Sequence, residues 1–344
     1  MTKKSDNGVE MESKVKLKDI AKETGVSIVT VSNALAGRGG VSDEIQEKII
    51  GIAKQMGYDF TRYEKKDANG ASLAVLVPAK DISVGNSFYW EMYEKVAYAA
   101  AKRHFFTSLE MIDSETEGQN VIPQTVASGK MDGIVIIGRA ESSFIKKILA
   151  TVKLPLVIMD SYNTDLNCDC VISNSYVGMY KTTKYLISHG HKKIGFVGTI
   201  ALNRNIKDRY FGYRKAMTEA GLTINEEWIL DDRTLPEQNI RVELPDSLPT
   251  AFACASDFSA AYLNKELNKR GLSIPEDISV TGYDNYLFGD DFGNTITTYN
   301  VDMAKMAEEA MDIMHEKMSG TTITNQLRYV DSYIVERSSV RTIK

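Results

Sequence analysis

The chain has 344 residues, 43% of them apolar and 25% charged, with a formal net charge of −5. That length predicts two or three domains rather than one. No apolar run is long enough to span a bilayer, and the polar start MTKKSDNGVEMES has no hydrophobic segment of a secretory signal. The expectation is a cytoplasmic protein with no membrane partner. The acidic balance argues against a dedicated nucleic-acid binder, but the charge is uneven. Residues 1–66 carry 12 Lys and Arg against 10 Asp and Glu, and the remainder 29 against 36. A weakly basic head on an acidic body is compatible with DNA binding if two copies act together.

Residues 1–14 read as a disordered tail. From Leu17 to Ala36, LKDIAKETGVSIVTVSNALA predicts a helix, a glycine turn and a second helix. Leu17, Ile20 and Ala21 fall on one face of the first helix. Gly25 sits where the chain must reverse, a place for positive φ. Ser27 is a good N-cap for the second helix. Val31, Ala34 and Leu35 give that helix an inward face, leaving Ile28, Val29, Thr30, Ser32 and Asn33 on or near the outward one. Ser42 caps a third helix, in which Ile45, Ile49, Ile52 and Met56 recur at helical spacing and Gly57 ends the run. An ordinary helical hairpin would need no more than this. A short second helix with small exposed side chains is also what enters a major groove.

After Tyr58, the charged run DFTRYEKKDANGAS reads as a linker. Strands and helices then alternate: a strand LAVLVP, a helix over 87–103, a strand SLEMID, a helix over 121–127, the strand DGIVIIG, a helix over 144–149 and the strand LPLVIMD. The pattern restarts with VIS and a helix over 176–187. The strand KIGFVG follows, then a helix from about Arg209 to Ala220, the strand TAFACAS, a helix through Leu267, the strand ISVTGYD and a last helix over 303–318. Such alternation predicts parallel sheets covered on both faces, in two similar lobes with a ligand between them at the carboxyl ends of the strands. It fixes architecture and leaves function open.

The run from Val15 to Tyr58, with LKDIAKETGVS, TVSNALAG, VSDEI and MGY, resembles the headpiece of the LacI (lactose-repressor) family of bacterial transcription regulators. HGHKKIGFVG, DRYFGYRKAM, PTAFACASD, ISVTGYDN and VERSSV resemble that family's effector-binding core, itself similar to periplasmic sugar-binding proteins. The resemblance covers about residues 15–340. It implies an α/β protein with an N-terminal three-helix helix-turn-helix headpiece (15–58), a linker or hinge (59–71), and a two-lobed periplasmic-binding-protein-like core of parallel sheets for effector binding and dimerisation (72–344).

The partners implied are double-stranded operator DNA, a small-molecule effector and a second copy in a homodimer, with no cofactor and no metal. Carried over, the base-reading residues are Ile28, Val29 and Asn33. Ser27, Thr30, Ser32, Ser42 and Tyr58 are phosphate or positioning contacts. Ile and Val can touch thymine methyls and Asn can read adenine, so the directly read positions of the half-site are expected to favour A·T pairs. The family's hinge helix with its wedging leucine has no counterpart in TRYEKKDANG.

On the effector side, the resemblance implies an aromatic wall of Phe88, Tyr89 and Trp90, with Asp160, Arg209, Asp257 and Asp284 at strand or helix ends. Carboxylates and a guanidinium facing an aromatic surface suit a sugar or related metabolite; purine-like ligands also occur in the family. Arg233 and Val301 stand where an aromatic and a polar ligand contact are usual. Cys168, Cys170 and Cys254 show no disulfide or zinc spacing and read as reduced core thiols, and His189 and His191 as structural or surface groups. A transport solute-binding protein would explain the core but not residues 15–58. An enzyme would need a nucleophile elbow, a phosphate loop or a ligand set that the sequence lacks.

Overall fold

The computed structural model describes residues 15–35, 41–58, 70–82, 88–235, 239–286, 292–320 and 325–344. The predicted tail and most of the predicted linker lie outside the described residues.

Three helices open the chain: α1 (Leu17–Thr24), α2 (Ile28–Leu35) and α3 (Asp43–Gln55). Gly25 ends α1 at φ +71°, and its N–H donates to the Ala21 carbonyl at 3.0 Å. Ile20, Ala21, Val31, Ala34, Leu35, Ile49 and Ala53 form a small separate core. The third wall differs from the predicted one. Ile45 is 43% exposed, and the inward face runs through Ile49, Ile50 and Ala53. Gln46, on the same side, donates to the Ala34 carbonyl at 3.1 Å. This contact fixes the rotation of α3 and turns Ile45 outward.

The body begins with β1 (Ser72–Pro78), the short α4 (Ala79–Ile82), α5 (Phe88–Lys102) and β2 (Phe106–Ile112). There follow α6 (Ser114–Gly118), α7 (Gln124–Ala127), β3 (Gly133–Ile137), α8 (Ser142–Thr151), β4 (Leu156–Met159) and β5 (Asp169–Ser173). Next come α9 (Ser175–Ser188), β6 (Ile194–Val197), α10 (Arg204–Glu219), β7 (Ile229–Leu230), β8 (Ala251–Cys254), α11 (Asp257–Lys269), β9 (Ser279–Asp284) and β10 (Thr297–Asn300). The chain ends with α12 (Met303–Met318), β11 (Leu327–Val330) and β12 (Ile334–Val335). Gly70 and Ala71, assigned to the linker by sequence, are already bonded to the first lobe through the His104 carbonyl and the Phe106 N–H.

Two six-stranded sheets result, ordered β11-β5-β4-β3-β1-β2 and β12-β10-β9-β8-β6-β7. Among the described residues, all pairings of these strands are parallel except β12 with β10. The central strands are buried on both faces, as in β1, where every residue after Ser72 is buried, while the edge strands β2, β11 and β12 are partly exposed. VIS, expected to open the second lobe, is instead the end of β5 in the first sheet. The chain crosses between lobes after β5, returns before α12, and crosses again between β11 and β12. α12 packs on α5, β4 and β5 of the first lobe, where Arg103 pairs with Glu308 at 2.6 Å and Lys102 with the same carboxylate at 3.0 Å. The short strands β7, β10, β11 and β12 carry too few residues for alternation to reveal them.

Two predicted helices change. The one over 121–127 shrinks to α7, because Pro123 has no N–H to continue a helix before it and serves as its N-cap. The preceding α6 is opened by Asp113, whose carboxylate accepts the Thr116 N–H at 2.7 Å. The helix predicted from Arg209 starts five residues earlier. Asn203 caps it by accepting the Ile206 N–H at 2.9 Å, which places Arg209 in its second turn. The three cysteines are buried free thiols. His191 is buried between the Thr250 hydroxyl at 2.9 Å and the Arg341 carbonyl at 3.1 Å, a structural role.

Candidate functional site

In the headpiece, Ser27 caps α2 by accepting the Thr30 N–H at 3.0 Å, and the two hydroxyls meet at 2.8 Å. This fixes the first turn and aims Ile28 and Val29 into solvent, 52% and 68% exposed. Two adjacent β-branched aliphatic residues in water on a well-packed helix contribute nothing to the headpiece core, so inward packing does not explain them. Ser32 and Asn33 are half-buried one turn later. Ser42 is exposed and caps α3 through the Ile45 N–H at 3.5 Å. Tyr58 packs against the headpiece core. Lys16, Lys18, Lys22, Lys48 and Lys54 are exposed on the same three-helix unit.

In the body, the carboxyl ends of both sheets face one cleft. Asp160 follows β4 and Asp284 ends β9, at φ +58° and +108°, a region that Asp tolerates better than most residues. Arg209 reaches up from α10. Its Nη2 lies 3.2 Å from Asp284 Oδ1, its Nη1 donates to the Ala255 carbonyl, and its guanidinium stacks 3.7 Å from the Tyr283 ring centre. Tyr89 donates its hydroxyl to Asp160 Oδ2 at 3.0 Å, and Asn205 donates to the Asp160 carbonyl at 2.8 Å. Burial pushes the Asp160 carboxyl up to about 6, against the pull of the Arg209 charge and the Tyr89 hydroxyl. Burial likewise pushes Asp284 up to about 7, against the attraction of Arg209 and helped by repulsion from Asp160.

A cavity of about 320 Å³ opens beside Asp160. The first lobe lines it with Lys80, Arg139, Ser142 and Tyr162, and the first turn of α10 closes it with Arg204 and Asn205. Its basic side chains are partly neutralised: Lys80 pairs with Glu117 at 2.9 Å, and Arg139 donates through Nε to Asp81 at 2.9 Å. What remains is a wall rich in amides and hydroxyls, with the Asp160 and Glu141 carboxylates and the Arg204 guanidinium, and an apolar floor at Ile145, Ile158, Leu166 and Leu202.

The implied aromatic wall is not assembled as the sequence suggested. Phe88 and Tyr89 are buried and pack edge to face at 5.2 Å, and Phe88 also meets Tyr286 of the second lobe at 5.9 Å. Trp90 is 43% exposed on another face of α5, where its indole N–H donates to Glu94. One residue is a 100° step around a helix, so three consecutive aromatics cannot share one wall. Asp257 is 1% exposed and lies behind Asp284. Its Oδ2 accepts the Tyr286 N–H at 2.9 Å, and its Oδ1 presses on Gly282, where no Cβ would fit. Burial and the nearby Asp284 raise its carboxyl well above the usual range. It braces the loop carrying Asp284 rather than facing the cavity.

Comparison with known proteins adds identity to this geometry. Residues 16–59 match the lacI family of bacterial regulatory proteins, and residues 183–340 match a periplasmic binding protein-like domain. The HTH-type transcriptional repressor PurR of Histophilus somni is 27% identical over 334 residues, which cover 95% of this chain and 99% of that protein. An N-terminal LacI-family domain is thus joined to a periplasmic binding protein-like domain. The ribose operon repressor of Haemophilus influenzae is 28% identical over 337 residues, covering 95% and 99% of the two chains. The lac repressor dimer bound to operator and the anti-inducer ONPF superposes with a TM-score of 0.64 over 96% of this chain and all of that chain, at 18% identity, which speaks for the fold alone.

Within this chain, the cavity depends on residues that the sequence did not single out. Tyr162, Arg204, Asn205 and the Asp81–Arg139 pair all border or support it. Asn203 as an N-cap was the available signal for Arg204 and Asn205, since the cap moves the start of α10 into the cleft. Arg233, noted as a departure, pairs with Asp232 at 2.9 Å. Val301 is buried in the core.

Proposed function

We propose that this chain is a homodimeric, sequence-specific transcription regulator, a repressor acting on operator DNA in the bacterial cytoplasm, and that a small hydroxyl-rich metabolite in the interlobe cleft alters its operator affinity. Residues 15–58 read the duplex, 59–71 join the parts, and 72–344 hold the effector and the second copy. The observation that carries the reading is the capped first turn of α2, which holds Ile28 and Val29 in water on a separately cored three-helix unit. Apolar side chains so placed suit thymine methyls in a major groove, and Asn33 one turn on suits adenine. The names of the two relatives, both repressors, support the direction of regulation.

The cavity supports the effector class. Its amide and hydroxyl lining both donates and accepts, two of its three cations are paired with carboxylates, and Tyr162 is its one aromatic wall among the described residues. That chemistry favours a neutral sugar over a phosphorylated one or a stacked purine. The size is at the low end for ligand pockets.

The test is selection of duplexes from a random pool by the full-length protein at fixed salt, followed by gel shifts with neutral mono- and disaccharides, their phosphates and purine bases. A two-fold symmetric site whose affinity changes at least about tenfold with a neutral sugar is expected. Equal binding to every duplex would refute the reading.

A further inference from the structure

We infer that Tyr162 is a latch residue, gripped from both ends by one helix of the opposite lobe, and that this grip sets the balance between shut and open cleft. The inference rests on the reading of the cleft as an effector site. Tyr162 follows β4 in the first lobe. Arg204 and Asp208 lie four residues apart on α10 of the second, and so on one face of it. The Tyr162 hydroxyl donates to Asp208 Oδ2 at 2.9 Å, a charge-assisted bond. The Arg204 guanidinium sits over the Tyr162 ring, 5.5 Å from its centre. A tyrosine therefore offers its polar tip to the carboxylate of one helical turn and its ring face to the cation of the turn before.

The neighbouring contacts reinforce the same junction. Arg204 also donates to Asn163 Oδ1 at 3.4 Å, and Asn205 donates to the Asp160 carbonyl at 2.8 Å. Three of the four residues 160–163 of one lobe, Asp160, Tyr162 and Asn163, are thus tied to the first two turns of a single helix of the other. Asp160, Tyr162, Arg204 and Asn205 all line the cavity, so a ligand entering or leaving by this side must part the clasp. Three chain crossings link the lobes, and a hinge absorbs motion at such points, while Phe88 and Tyr286 also meet across the joint. A polar clasp closing over a hinge is a two-state element whose balance a few bonds can shift.

The clasp can be tested without knowing the effector. Lys146→Cys on α8 and Asn268→Cys on α11, both exposed positions, carry a spin-label pair that reports lobe separation, since the three native thiols are buried. Labelled full-length chain is diluted into unlabelled chain, so that pairs between copies contribute little. The parent is expected to show mainly the short distance. Tyr162→Phe, which removes only the hydroxyl, should lower the closed-to-open ratio about tenfold, and Asp208→Ala should do the same with no further loss in the double variant. Asp208→Asn keeps an acceptor oxygen and should retain most of the closed state. Thermal melting of each variant identifies any that has simply lost its fold.

A parent that is already open would overturn the inference. So would a distance distribution unmoved by Tyr162→Phe in a protein that melts normally. If no sugar, phosphate or purine binds but the distances shift as stated, the latch stands and the effector reading falls.

Discussion

Arg209 and Asp284 form an ion pair at 3.2 Å between a helix and a strand end of the second lobe, with the guanidinium also laid against Tyr283. The arginine is 5% exposed and is shared with Asp160 of the first lobe, whose charge it feels. One cation thus acts on two carboxylates from two sheets.

Removing that cation should be costly. Arg209→Ala leaves the buried Asp160 and the half-buried Asp284 without its charge, and a loss of about 3–5 kcal/mol in denaturant unfolding is expected. Arg209→Lys should recover only part of it. An ammonium cannot stack flat on Tyr283 while reaching both the Asp284 carboxylate and the Ala255 carbonyl.

The same cluster sets a pH dependence. Asp160 and Asp284 are raised from ordinary carboxylate values to about 6 and about 7. Between about pH 4 and these values the folded chain holds protons that the unfolded chain has released, so stability rises as pH falls from about 7.5 to 5. Asp284 keeps 17% of its side chain in water, which moderates the gain to about 1–2 kcal/mol. Asp284→Asn should flatten the slope in urea titrations at pH 5, 6 and 7.5. An unchanged slope would show that the carboxyl ionises normally.

On the headpiece, Ile28→Ala combined with Val29→Ala should weaken binding to the selected operator about tenfold or more, while unfolding stability moves by no more than about 0.5 kcal/mol. Both side chains are exposed and take no part in the headpiece core. Asn33→Ala should relax a preference for adenine at one half-site position without altering the salt slope, since no phosphate contact is lost. A half-site that instead requires G·C at the positions these residues govern would contradict the assignment.

Asp257 separates bracing from binding. Asp257→Ala strands the Tyr286 N–H beside a buried gap and should cost about 1–3 kcal/mol in stability. Asp257→Asn keeps an acceptor for that N–H and should fold nearly as well, with effector affinity close to the parent's. A selective loss of affinity in a stable Asp257→Asn protein would return this residue to the ligand.

The sequence by itself determined what is local and repetitive. Helical spacing and caps at Ser27 and Ser42 wrote the headpiece, and alternating apolar strands and amphipathic helices wrote two parallel sheets. Strand-end positions placed Asp160 and Asp284 in the cleft, because parallel strands bring their carboxyl ends to one side. Tertiary structure alone decided the rest. The three lobe crossings place β5 and α12 in the first lobe, since short strands such as β11 take their partner from packing across more than 150 residues. It hid Asp257 behind Gly282 and brought Tyr162 against Asp208. Such pairings depend on how two rigid bodies meet, and no periodicity along the chain encodes that angle.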